Sequence, residues 1–303
     1  MSTTLDVIII GAGPGGLSAA IYAQRAGLSN ILIEASYVSG GQIVNTAEVD
    51  NYPGLPGVGG MELADKFKEH AEKMGVKFVR AEVLSVVAEQ ELKKVTTKDN
   101  EYITKAVIIA TGAKHRVLGI TGEAELVGMG VSYCATCDGA FFKDKTVAVI
   151  GGGDVAVEDA IFLSRMCQKV YVVHRRDELR AAKALQDKLF ALANVEMLWS
   201  QVPEQILGND QVEKIVLRDV KSSSRQEVPV DGVFVAVGMN PNAEQFKGVV
   251  ALDDSGYIRA GEDCRTDVSG IYAVGDVRTK ALRQIITAAA DGANAVTSIQ
   301  EDM

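Results

Sequence analysis

The chain has 303 residues, 47% hydrophobic and 23% charged, the balance of an ordinary globular protein of about two domains. Its net charge of −9 weighs against binding to nucleic acid, and no apolar run reaches the roughly 18 residues a membrane span needs. Four cysteines are too few for a disulfide scaffold, and the run from Val7 to Ile10 is too short for a signal peptide, so the expected location is the cytoplasm.

A β-branched run from Leu5 to Ile10 ends in Gly11-Ala12-Gly13-Pro14-Gly15-Gly16. A helical pattern follows to Arg25 and stops at Gly27, and a second apolar strand, Asn30 to Ile33, ends at Glu34. Between a strand and a helix, a G-x-G-x-x-G string has a physical role. The first glycine makes the tight turn, the second lets backbone approach a pyrophosphate, and the third lets the helix pack closely on the strand. Glu34 stands where it can accept hydrogen bonds from adenosine ribose hydroxyls and repel a 2′-phosphate, which suits FAD or NAD. From Phe78 to Tyr102, strand-like runs alternate with polar turns, and a small β-meander is expected. Ala106 to Gly112 reads as an apolar strand ending in glycine.

Cys134-Ala135-Thr136-Cys137 comes next. A zinc site wants four ligands, and the three histidines and remaining cysteines offer no second pair. A purely structural disulfide suits a cytoplasmic chain poorly. The favoured reading is a redox dithiol, in which neighbouring cysteines close a small reversible disulfide. Asp138 follows at once, either to move a proton to and from a thiolate or to cap a helix. Cys167 and Cys264 have no spacing partner and are expected as buried free thiols.

The opening pattern then repeats. Lys145 to Ile150 is a strand ending in Gly151-Gly152-Gly153-Asp154-Val155-Ala156, followed by a helix from about Val155 to Met166 and a strand from Lys169 to Val173. The position equivalent to Glu34 is His174, followed by Arg175, Arg176 and, one turn later, Arg180. Arginines there suit a 2′-phosphate through bidentate charge-assisted bonds, as in NADP. A second meander is expected between Val195 and Val230, and Gly232 to Gly238 repeats the strand of Ala106 to Gly112. The last segment is a strand from Ile271 to Val274, a turn at Gly275-Asp276 and a helix from about Gln284 to Ile299. The simplest assembly makes 1–115 with 246–303 one discontinuous domain, into which 116–245 is inserted.

Taken in order, Gly11-Ala-Gly13-Pro-Gly-Gly16, Gly40-Gly41-Gln42, Cys134-Ala-Thr-Cys137-Asp138-Gly139, Gly151-Gly-Gly-Asp-Val-Ala156, His174-Arg175-Arg176 and Gly275-Asp276 resemble the low-molecular-weight, bacterial-type thioredoxin reductases over essentially the whole chain. The resemblance implies an α/β fold of two Rossmann-like three-layer domains: an FAD-binding one (1–115 and 246–303) and an NADPH-binding one (116–245) carrying the redox pair. For FAD it implies Gly11, Gly13 and Gly16 at the pyrophosphate, Glu34 at the ribose, and Gly40, Gly41, Gln42 and Asn51 near the flavin. Asp276, Arg283, Gln284 and Ile285 complete that site. For NADPH it implies Gly151, Gly153 and Ala156, with Arg175, Arg176 and Arg180 on the 2′-phosphate. Asp154 stands where many members carry Asn.

The implied reaction is a relay from NADPH through FAD to the Cys134–Cys137 disulfide and on to thioredoxin. In it Cys137 meets the flavin, Cys134 attacks the protein substrate and Asp138 handles the proton. The family is homodimeric. Two variants of this machine are weighed beside it: service to another disulfide acceptor, and feeding by ferredoxin. The arginine cluster argues against the second.

Overall fold

Runs that are apolar at every position, such as Val7-Ile8-Ile9-Ile10, are satisfied in a sheet covered on both faces. The computed structural model, which describes residues 4–46, 48–49, 51–89 and 91–303, builds such a sheet twice. In chain order, the first segment contains β1 (Leu5–Ile10), α1 (Pro14–Arg25), β2 (Asn30–Glu34), α2 (Gly60–Lys73), β3 (Lys77–Arg80), β4 (Val83–Glu89), β5 (Leu92–Thr97), β6 (Glu101–Ile109) and β7 (Ala113–His115). The middle contains β8 (Val131–Ser132), α3 (Ala135–Asp138), β9 (Thr146–Ile150), α4 (Asp154–Ser164), β10 (Lys169–His174), α5 (Lys183–Phe190) and β11 (Val195–Trp199). It continues with β12 (Gln201–Gly208), β13 (Val212–Asp219), β14 (Arg225–Pro229) and β15 (Gly232–Val235). The chain ends with β16 (Met239–Pro241), β17 (Ile271–Ala273) and α6 (Ile285–Asp302).

Two compact units result: Met1–Lys114 with Asn240–Met303, and His115–Met239. The connecting strands β7 and β16 pair with each other. Residues 240–245, which the sequence left with the inserted segment, fall in the outer unit. There Ala243 is buried in the same core cluster as Ile8 and Ile33.

In the outer unit the strand order is β3-β2-β1-β6-β5-β4, with β17 also on β6. β1 lies parallel between β2 and β6. The two-residue period sorts its side chains: Val7 and Ile9 pack towards α1 and α6, while Ile8 and Ile10 join the opposite core with Val86, Val95 and Phe246. The inserted unit repeats the scheme in the order β11-β10-β9-β15-β8. Val147 and Val149 meet Ala160 and Leu163 of α4, and Ala148 and Ile150 meet Ile206, Ile215 and Leu217 of the antiparallel β12-β13-β14 sheet.

The segments expected as two meanders are divided differently. Their first strands, β3 and β11, pair in parallel with β2 and β10. A parallel neighbour needs a crossover of a dozen or more residues, and α2 and α5, outside the expected elements, are those crossovers. Only β4-β5-β6 and β12-β13-β14 are antiparallel meanders.

α6 lies directly on α1. A side chain at Gly292 would run into the carbonyl of Gly15 and stand 2.6 Å from the Ala19 nitrogen, and the Ser18 hydroxyl donates to the Ala289 carbonyl at 2.7 Å. Alanine at an unhindered helical glycine stabilises by about 0.5–1 kcal/mol. At Gly292 the contact reverses the sign, because the added methyl forces the two helices apart. Gly292→Ala is expected to lower stability by about 1–3 kcal/mol in urea unfolding of the purified protein. An unchanged or raised midpoint would contradict this packing.

Candidate functional site

The first glycine turn is shaped by what its residues lack. Gly11 has φ +107°, and a Cβ there would lie 2.5 Å from the Ala110 carbonyl oxygen at the end of β6. A side chain at Gly16 would meet the Gly11 carbonyl, so only glycine lets α1 start this close to β1. Gly13, the N-cap of α1, faces open space. The Glu34 carboxylate at the end of β2 reaches back to this turn: it accepts from the Ala12 N–H at 2.7 Å and from the Ser36 N–H at 2.7 Å. The Gly40 N–H donates to the Ala12 carbonyl at 2.7 Å, and Gly41 lies against Gly13. Gly11, Gly13, Gly16, Glu34, Gly40 and Gly41 are therefore one assembly, and Gln42 follows on the short 3-10 turn of Gly41–Asn45.

At the other end of the outer unit's chain, the Asn51 amide donates to the Gln284 side-chain oxygen at 3.0 Å. Gln284 caps α6 through a reciprocal bond pair with Thr287, and Ile285 begins the helix. The Arg283 guanidinium stacks 4.0 Å from the Tyr257 ring and donates to the Arg278 carbonyl. Asp276 sits on the short turn Gly275–Val277 after β17, and that turn abuts Gly15. Asp276 Oδ1 and Arg283 Nε are buried with no hydrogen-bond partner among the described residues. Burial pushes the Asp276 carboxyl up, and Lys280 and Arg283 oppose that shift.

The second turn copies the first. A Cβ at Gly151 would stand 2.5 Å from the Ala236 carbonyl oxygen and 2.6 Å from the buried Ala156 side chain. Gly153 is the open N-cap of α4. Gly152 has no room for a side chain because the His174 ring occupies that space. The Arg180 N–H donates to the Gly152 carbonyl at 2.7 Å, drawing the arginine loop onto the glycine turn. Arg175, Arg176 and Arg180 are exposed, and none of their guanidinium groups bonds to a carboxylate among the described residues. Burial, then the charges of Arg180, Arg175 and Arg176, lower the His174 pKa, so this ring stays neutral beside the cluster. Asp154 Oδ1 accepts from the Ala182 N–H at 2.7 Å, tying the start of α4 to that of α5.

Cys134 and Cys137 form a disulfide with a Cα separation of 5.3 Å. Cys134 is the N-cap of α3, and the N–H groups of Cys137 and Asp138 both donate to its carbonyl, so one helical turn closes the ring. Sequence reasoning missed Ser132. Its hydroxyl donates to Asp138 Oδ2 at 2.6 Å and accepts from the Cys134 N–H at 3.0 Å, which ties the carboxyl to the cysteine backbone. No motif marks it; the pairing of β8 with β15, where Ser132 stands opposite Phe234, positions it. Burial raises the Asp138 pKa and the Ser132 bond lowers it, leaving a net upward shift, the direction that favours a group able to hold a proton beside the cysteines. Cys167 and Cys264 are buried free thiols, pushed by burial to about 11 and about 12, so neither is a thiolate at neutral pH. Among the described residues no helix is long and apolar enough to cross a membrane.

Ser132→Ala removes the O–H that favours the ionised carboxylate, so the Asp138 pKa should move further up. Isotope-edited infrared titration of the carboxyl measures this directly. An unmoved or lowered value would contradict the role given to Ser132.

The pyridine nucleotide-disulphide oxidoreductase family model matches residues 5–292. The thioredoxin reductase of Listeria monocytogenes is 48% identical over 98% of this chain and 93% of its own. That of Bacillus subtilis is 45% identical over 97% of this chain and 93% of its own. The crystal structure of thioredoxin reductase from Streptococcus pyogenes is 46% identical, covers 100% of this chain and 99% of its own, and superposes with a TM-score of 0.94. With matching glycine turns, a closed C-x-x-C and this similarity along its length, the chain belongs to the pyridine nucleotide-disulphide oxidoreductases, among the bacterial-type, low-molecular-weight thioredoxin reductases.

Proposed function

We propose that this protein is an NADPH-dependent thioredoxin-disulfide reductase, with FAD held by the outer unit and NADPH by the inserted one. The observation that carries the reading is the Cys134–Cys137 disulfide, closed within one helical turn beside a carboxyl whose pKa is raised. FAD fits the outer unit because that unit offers open space at Gly13 and a carboxylate at the end of β2. It also offers two buried polar atoms, on Asp276 and Arg283, that have no hydrogen-bond partner among the described residues. Gly11, Gly13 and Gly16 would hold its pyrophosphate and Glu34 its ribose. Gly40, Gly41, Gln42, Asn51, Asp276, Arg283, Gln284 and Ile285 would complete its site. NADPH fits the inserted unit because Arg175, Arg176 and Arg180 are exposed and their guanidinium groups bond to no carboxylate among the described residues, on a loop that the Arg180 N–H ties to the Gly152 carbonyl of the turn carrying Gly151, Gly153 and Ala156.

The chemistry the two cofactors supply is delivery of a hydride's electron pair to the disulfide. The protein's own residues do the rest. Two electrons and two protons open the Cys134–Cys137 bond to a dithiol, with Asp138, held by Ser132, exchanging one of the protons. The Cys134 thiolate then attacks one sulfur of oxidised thioredoxin, forming a mixed disulfide and releasing the other thioredoxin sulfur as a thiolate. Cys137 displaces thioredoxin from Cys134, the pair closes again, and reduced thioredoxin leaves. The protein works in the cytoplasm as a homodimer; the family resemblance supports the dimer, and the free thiols of Cys167 and Cys264 are in keeping with a reducing compartment.

The test is NADPH oxidation coupled to reduction of thioredoxin by the purified protein. Replacing Arg175 and Arg176 together by Ala is expected to raise KM for NADPH about tenfold or more, the loss of at least one charge-assisted bond. KM for NADH should change little. Equal losses for both nucleotides would contradict the 2′-phosphate role, and no reduction of thioredoxin by the parent protein would contradict the function.

A further inference from the structure

Asp291 lies on the buried face of α6 and is 4% exposed. Its carboxylate accepts four hydrogen bonds: from the Gly275 N–H at 2.8 Å, Arg278 Nε at 2.9 Å and Nη2 at 2.7 Å, and Lys280 Nζ at 2.8 Å. A buried carboxylate persists only when it is paired and fully bonded. Here burial raises the Asp291 pKa, but the bonds from Arg278 and Lys280 outweigh it and hold the group below the usual carboxylate range.

All four donors come from one short segment, and Asp276 lies inside it. Asp291 therefore grips the backbone immediately before Asp276 and the side chains two and four residues after it, while Asp276 Oδ1 itself remains without a partner among the described residues. The next residue on α6 is Gly292, whose missing side chain admits the Gly15 carbonyl of the first glycine turn. Two adjacent positions on one helix thus fix two separate loops: Gly292 the glycine turn and Asp291 the Asp276 turn. Arg278 and Lys280 together carry one more charge than Asp291 neutralises, and Lys280 acts on Asp276 against the effect of burial.

We infer that Asp291 is a positioning residue of the FAD site, which aims the Asp276 carboxylate at the cofactor and keeps it in register with the glycine turn. The inference rests on the proposed placement of FAD against Asp276. It predicts energetic coupling between two residues of which only one touches the cofactor.

The experiment is a double-mutant cycle on FAD affinity, measured by quenching of flavin fluorescence as FAD is titrated into flavin-stripped protein. Asp276→Asn and Asp291→Asn are each expected to weaken binding about tenfold, roughly one charge-assisted hydrogen bond. The double variant should be little weaker than either single one. Effects that multiply, or unchanged affinity in D291N beside a weakened D276N, would overturn the positioning role alone. Unchanged affinity in D276N would overturn the placement of FAD and this inference with it. If D291N does not fold, Arg278→Lys takes its place in the cycle, since it keeps the charge and loses the paired geometry. The same non-multiplying loss with D276N is expected, and a multiplying one would overturn the inference.

Discussion

The architecture depends on one close approach made twice. At Gly11 the backbone passes so near the Ala110 carbonyl that a Cβ would lie 2.5 Å from its oxygen, and at Gly151 it passes Ala236 at the same 2.5 Å. Each approach lets a helix begin at the tip of a central strand with its N-cap glycine facing open space. A side chain at either position would push the helix off the sheet. The space where a dinucleotide's phosphates can meet backbone N–H groups would then close.

What differs between the two copies is the residue at the end of the next strand. Glu34 bonds back to the Ala12 N–H of its own turn and presents a carboxylate there. His174 instead packs against Gly152 as a neutral ring, and the charge comes from the three arginines that follow. One scaffold thus carries an anionic rim in the outer unit and a cationic rim in the inserted one. The sign of the rim, more than the shared turn, separates the two nucleotides the units are proposed to take.

The parts of the structure that follow from local pattern were legible in the sequence. The strand–turn–helix units rest on glycine spacing and on continuous apolar runs, the paired cysteines on the C-x-x-C spacing, and the discontinuous outer unit on the repeat of the opening pattern. The parallel placement of β3 and β11 was not legible, because a short strand of mixed polarity carries no mark of its partner's direction; the crossover helices decide it. Ser132 and Asp291 were missed for a related reason. Each acts through bonds to residues that the fold, and not the local sequence, brings near: Ser132 through the β8–β15 pairing, Asp291 through the packing of α6 under the Asp276 turn. A charged residue on the apolar face of a helix was the one signal available for Asp291.

The account turns on a disulfide that opens at the expense of NADPH while the other two cysteines stay out of the chemistry. The most direct measurement is to add NADPH anaerobically to the flavin-loaded protein, alkylate it under native conditions and map the modified cysteines by peptide mass spectrometry. The account predicts that Cys134 and Cys137 are blocked to alkylation before NADPH and both modified after it, with Cys167 and Cys264 unmodified throughout. A pair that stays closed after NADPH, or alkylation confined to Cys167 or Cys264, would contradict it.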